Sequence, residues 1–145
     1  MLTNNFKDCK YLQLKLDATV EDLQLPEAIC IFQNRSISEA LTIMSMQDFS
    51  QLPVIDNNRK LIGIVSLDKI SKYTGDPSDP VAIVTSIFGK QAPYFPITPS
   101  TRLADLESFF RMHHAGFVTD GVTRWPLAVI TKDDVDRVHA KKINV

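Results

Sequence analysis

The chain has 145 residues, 44% of them hydrophobic and 23% charged, with a formal net charge of −1, the composition of an ordinary globular domain. A near-neutral chain offers no basic field to nucleic acid and no polybasic strip to an anionic membrane. No apolar run is long enough to span a bilayer, and Met1 to Asp17 carries Asn, Lys and Asp where a signal peptide needs an unbroken apolar core, so a cytoplasmic protein is expected.

Residues 1–18 read as an extension or linker, in which Lys10 to Leu16 (KYLQLKL) alternates like an edge strand. Thr19 to Leu23 forms a short lead-in. Ala28 to Ile43 (AICIFQNRSISEALTI) reads as a β-type run, a polar turn and a helix with Ile37, Ala40, Ile43 and Met44 on one stripe. Gln51 to Ile70 (QLPVIDNNRKLIGIVSLDKI) gives a strand, a turn, a second strand ending on Ser66, and a helix start.

The same order then repeats. Thr85 to Gly89 aligns with the lead-in, 66 positions on; Tyr94 to Phe109 (YFPITPSTRLADLESF) repeats the strand and helix, with Leu103, Leu106, Phe109 and Phe110 as its stripe. Phe117 to Val135 (FVTDGVTRWPLAVITKDDV) repeats the strand pair, with Thr131 standing 65 positions after Ser66. The period fits a duplicated supersecondary unit rather than a solenoid. We expect an α+β fold of two units, residues 19–76 and 80–142, each running β-α-β-β-α after its lead-in and packed by a pseudo-two-fold, with sheets covered by helices on one face. A unit of about 60 residues buries too little surface to stand alone. The units therefore pack together and leave two quasi-equivalent clefts.

Catalytic and metal signatures do not emerge. Nucleophile-elbow, Walker, dinucleotide-turn and zinc-helix motifs are missing, and five glycines leave no loop built to wrap phosphate. Cys9 and Cys30 lack metal-ligand spacing and read as free thiols. His113 and His114 fall where imidazole suits a helix C-terminus, and His139 lies among Arg137, Lys141 and Lys142 on a solvated face. Asp133 and Asp134 are adjacent on a helix and point apart. The expectation is a non-enzyme with no catalytic residue, metal or cofactor.

The close of each strand pair carries the remaining signal. Thr131 and Asp134 read as a capping box, the hydroxyl and carboxylate satisfying each other's amides. They also read as a cleft pair, a carboxylate accepting ribose hydroxyls beside a hydroxyl that bonds ribose or phosphate. Spacing leaves both open.

A tandem strand-turn-strand ending in Gly63-Ile64-Val65-Ser66 and in Ala128-Val129-Ile130-Thr131-Lys132-Asp133-Asp134 resembles a CBS-domain pair, or Bateman module, over Thr19 to about Ala140. Thr19-Val-Glu-Asp-Leu, Asp48-Phe-Ser-Gln-Leu-Pro-Val, Leu103-Ala-Asp-Leu-Glu-Ser-Phe-Phe and Val118-Thr-Asp-Gly-Val resemble the C-terminal regulatory region of cystathionine β-synthases, the fungal forms in particular. The resemblance implies a module that senses an adenosyl ligand, S-adenosylmethionine or AMP, ADP or ATP, between its units. Thr131 and Asp134 would hold the ribose, with Val129, Phe49 and Ile31 as walls. Ala115 stands where an aromatic is expected, and Glu27 where a small apolar residue is. In the other cleft Ser66 keeps the hydroxyl but Lys69 replaces the carboxylate, which makes it the weaker site for ribose and one that attracts phosphate.

The resemblance further implies a homodimer through the helices, with Phe109, Phe110, Met112, Met44 and Met46 as surplus apolar surface, and control of an attached or partner enzyme. A pyridoxal phosphate domain does not fit in 145 residues beside this module, which leaves an excised regulatory region or a stand-alone module. A ligand-independent autoinhibitory or oligomerisation scaffold, and an adaptor docking through Trp125, are the other two hypotheses.

Overall fold

The computed structural model describes residues 18–143, with side chains through Arg137. Lys10 to Leu16, Cys9 and the His139 side chain lie outside the described residues. In chain order the first half contains β1 (Ile31–Phe32), α1 (Ile37–Gln47), β2 (Gln51–Ile55), β3 (Leu61–Ser66) and α2 (Leu67–Ser71). A short β4 (Ser86–Ile87) leads to the second half, which holds α3 (Glu107–Met112), β5 (Ala115–Thr119), β6 (Pro126–Thr131) and α4 (Lys132–Ile143).

Local chemistry explains these elements. Ser36 caps α1 by accepting from the Glu39 amide at 3.1 Å, and Asp48 closes it in the left-handed region. Along α1 the residues Ile37, Ala40 and Met44 are buried and Ile43 packs beside them, so the predicted stripe is the core face. Strand β3 alternates, with Leu61, Gly63 and Val65 inward. The second helix differs: it starts as a 3-10 turn, Leu103–Leu106, before continuing as α3.

The first sheet has the order β1-β2-β3-β4, with β1 parallel to β2 and the remaining pairs antiparallel. In the second half β5 and β6 pair antiparallel, and Ile97 forms a single parallel bridge to Val118 where β1 would be. Ile31, Met44, Leu52, Val54 and Val65 lie in one core; Ile97, Leu103, Leu106, Val118 and Ile130 lie in the other.

The lead-ins are exchanged between these cores. The 3-10 turn Val20–Leu23 belongs to the first unit by sequence, yet Val20 is buried in the second core. The turn Val81–Val84 belongs to the second unit by sequence, yet Val81 and Val84 are buried in the first core. Four backbone hydrogen bonds match. Val20 donates to Thr101 O, Glu21 to Pro99 O and Ala28 to Leu127 O, while Leu103 donates to Ala18 O. Their counterparts run from Val81 to Arg35 O, Ala82 to Gln33 O, Phe88 to Ile62 O and Ile37 to Asp79 O.

This register corrects the expected alignment of the lead-ins. Val20–Leu23 corresponds to Val81–Val84 rather than to residues 86–89. The spacing from lead-in to first strand is longer in the second half, where an added turn around Gly89, with Gly89 N–H donating to Ala92 O at 2.7 Å, absorbs the difference. In the strand pairs Gln51 lies opposite Ser66 and Ala115 opposite Thr131, so Gln51 corresponds to Ala115.

Candidate functional site

Strand β6 delivers Thr131 to the start of α4. The Thr131 backbone N–H and Oγ1 donate to Asp134 Oδ2 at 2.8 and 2.9 Å, and the Asp134 N–H returns a longer bond of 3.4 Å to Thr131 Oγ1. Arg137, one turn along, pairs with Asp134 Oδ1. The Asp134 side chain is 12% exposed against 70% for Arg137. The capping box is therefore formed, and it fixes a carboxylate in a sheltered place where the helix dipole favours negative charge.

The same corner of the first half is built from a hydroxyl and a cation. Ser66 Oγ accepts from the Lys69 amide at 3.2 Å, and Lys69 Nζ crosses to Ser86 Oγ on β4 at 2.9 Å. Ala115 sits directly across from Thr131, and Val129 is half-buried on β6 opposite Phe117. Glu27 is exposed, next to the Ala28 amide that bonds β6. Phe49 is 37% exposed in the junction between α1 and β2. Ile31 departs from expectation: it is 3% exposed and lies in the first core, because strand alternation turns its side chain inward. Met44 is also core, at 1%. Met46 and Met112 are the surplus apolar surface, 77% and 82% exposed at matching places on the two helices.

A cavity of about 250 Å³ is lined by Gln51 and Ile64 of the first half and by Phe88, Tyr94, His113, Ala115 and Phe117, among others; Ser66, Lys69, Thr131 and Asp134 are not part of its lining. Aromatic rings make its walls. Phe88 lies 5.8 Å from both Tyr94 and Phe117. Phe109 packs edge-on to Phe95 at 5.2 Å, and His113 stacks on Phe109 at 4.7 Å. His113 thus lies within the aromatic cluster, not simply beside helix carbonyls. The Arg124 guanidinium covers the Tyr94 ring at 4.1 Å. Sequence analysis missed Phe88, Tyr94 and Phe95; the density of aromatic residues between 88 and 117 was the available signal. A polar depression of about 430 Å³ at the start of α1, lined by Arg35, Ser36, Glu39 and Asn57, includes none of the expected site residues.

Two further groups bear on chemistry. Burial pushes the free Cys30 thiol up to about 11, which makes it a poor nucleophile. Trp125 is 42% exposed beneath the Arg59 guanidinium, 5.1 Å from the ring, joining the turn of one half to the turn of the other. No helix among the described residues is long and apolar enough to cross a membrane, and no group of three or more His, Cys, Asp and Glu there could hold a metal.

Comparison with known proteins identifies a domain and the fold. Residues 20–76 match the family model described as the CBS domain. A CBS-pair protein, CBSX2 from Arabidopsis thaliana, superposes with a TM-score of 0.72 at 20% identity, covering 88% of this chain and 97% of that one. The chain carries a CBS domain and folds as a CBS-domain pair. The CBS pair of protein MJ0100, solved with 5′-methylthioadenosine and S-adenosyl-L-methionine, gives a TM-score of 0.68 at 20% identity over 86% of this chain and 98% of that one. Among curated proteins this CBS pair is similar to cystathionine beta-synthase of Dictyostelium discoideum, 34% identical over 122 residues, 81% of this chain. Cystathionine beta-synthase of Saccharomyces cerevisiae is 24% identical over 87% of the chain. The alignments span 24% and 28% of the length of those two relatives.

Proposed function

We propose that this CBS pair is a cytoplasmic, non-catalytic regulatory module that takes an adenosyl ligand between its halves and sets the activity of an attached or partner enzyme, cystathionine β-synthase being the candidate. The observation that carries the proposal is the sheltered Asp134 carboxylate, held by Thr131 at the end of β6. A carboxylate already fixed in place accepts ribose hydroxyls with little further loss of side-chain entropy. The similar fold solved with S-adenosyl-L-methionine and 5′-methylthioadenosine, and that of CBSX2 solved with AMP, supports the ligand class. Ligand then favours one arrangement of the halves over another, which is how binding reaches an enzyme.

The cavity beside Ile64 and Phe88 favours a second reading of the same function, with the base stacked among aromatic rings and a phosphate drawn to Lys69. Calorimetric titration of the whole chain with S-adenosylmethionine and AMP tests both. We expect binding that Asp134→Asn weakens at least about tenfold, the value of one or two charge-assisted hydrogen bonds. Binding untouched by Asp134→Asn and lost in Lys69→Ala moves the ligand to the other cleft. Silence from both ligands, with a dimer by light scattering, leaves a scaffold. Met46 and Met112 support the homodimer, and Met46→Glu with Met112→Glu should then yield a monomer.

A further inference from the structure

The two exchanged lead-ins share four docking hydrogen bonds but differ in what secures them. Behind the second lead-in, Val81 is 0% and Val84 6% exposed. Thr85, equally buried, donates its hydroxyl to Val81 O at 2.8 Å, and the chain continues as β4 in register with β3. The first lead-in, Ala18 to Ala28, fully buries Val20 alone, with Ala18, Leu23 and Leu25 half-buried beside it, and no strand of the described sheets lies within it. A segment with one fully buried side chain, three half-buried ones and a handful of hydrogen bonds ranks lower in local stability than one that continues into a paired strand.

Its position gives that looseness a use. The Ala28 amide donates to Leu127 O at 3.0 Å on β6, and β6 ends at Thr131. Leu127, Val129 and Thr131 share the half-buried face of that strand. Whatever tightens the end of β6 therefore also tightens the strand on which the lead-in rests.

We propose that Ala18 to Ala28 is a detachable strap of the second half, and that its docking and occupancy of the Thr131–Asp134 corner are one linked equilibrium. This rests on the adenosyl-sensing function proposed above and names its output: ligand holds the strap down, and an undocked strap lowers affinity for ligand by the same factor.

Hydrogen exchange followed by mass spectrometry on the whole chain, paired with calorimetry, tests this with AMP and S-adenosylmethionine as probes. Saturating ligand should slow exchange across residues 18–28 by about tenfold, within the usual range of coupling between sites. Val20→Ala should speed exchange there and in 115–131, leave 51–66 as in the wild type, and weaken affinity by the factor seen as protection. Should Val20→Ala fail to fold, Ala28→Pro removes the bond to Leu127 without touching the core, with the same expectation. Heat of binding without a change in 18–28 overturns the strap and leaves the sensor standing. Loosening of 51–66 in place of 115–131 also overturns it. Silence from both ligands overturns the sensor and the linkage together.

Discussion

The halves of this molecule follow one plan, and they diverge at the two strand ends. The first half closes on Ser66 and Lys69, with the lysine tied across to Ser86 on a firmly docked β4. The second closes on Thr131 and Asp134, sheltered from solvent, beside a lead-in that buries Val20 alone. Duplication supplied two equivalent corners. One reversal of charge and one difference in lead-in packing set the corners apart: one is basic, beside a lead-in that continues as a paired strand, and the other acidic, beside a lead-in that does not.

The difference can be broken most severely at Gly63, the counterpart of Ala128. A Cβ at Gly63 would stand 2.3 Å from Ser86 O and 2.8 Å from the Thr85 side chain, and a backbone carbonyl in a paired strand cannot step aside. Gly63→Ala should cost about 3 kcal/mol, the upper range of overpacking, while Ala128→Gly should cost roughly 1 kcal/mol through backbone freedom. Denaturant unfolding of the two variants measures both. A Gly63→Ala midpoint equal to that of the wild type would show that β4 does not press on β3.

A smaller change should make the corners alike. Lys69→Asp places a carboxylate three residues after Ser66, as Asp134 follows Thr131. With AMP or S-adenosylmethionine it should improve affinity at that corner by about tenfold, the value of one charge-assisted hydrogen bond, read as a second binding event per chain. Stability should change little, since the lost contact to Ser86 is an exposed one. An unaltered stoichiometry would mean that residue 69 does not decide which corner binds.

Much of this was legible in the sequence because periodicity survives divergence. Ile37, Ala40 and Met44 and their counterparts Leu103 and Leu106 were readable as core from spacing, and all five are buried. The Thr131–Asp134 cap was readable too, because it is local: its two partners stand three positions apart. What stayed hidden depended on contacts between distant segments. Neither Val20 nor Val81 carries a sign of which core it will enter, since both are simply apolar residues in short turns. Inserted residues around Gly89 misled the alignment of the lead-ins, and the aromatic cavity assembles Phe88, Phe109 and Phe117 from three separate elements. Ile31 holds a wall position in the family pattern, whereas the parity of a two-residue strand turns its side chain into the core.

The finest distinction lies in the two β-turns. Asp56 Oδ1 accepts from the Asn58 and Lys60 amides at 2.8 and 3.0 Å, and Asp120 Oδ1 accepts from Val122 and Thr123 at 3.1 and 2.9 Å. Only the second turn adds a hydroxyl, from Thr123, to the other carboxylate oxygen. That hydroxyl, with the turn amides of Thr123, Val122 and Arg124, holds the Asp120 carboxyl below the usual carboxylate range. A depressed folded-state value stabilises the fold above the unfolded range near about pH 4, and that stabilisation is lost as pH falls through the folded value. Thr123→Val should move the Asp120 titration upward in a carboxyl-resolved NMR experiment and bring the onset of acid unfolding to slightly higher pH. Its unfolding midpoint should lie a little below that of the wild type at neutral pH and converge with it once the carboxyl is protonated in both states. A constant offset at every pH would assign the effect to packing of the threonine methyl, because a hydrogen bond to a carboxylate must fade as the carboxylate is neutralised.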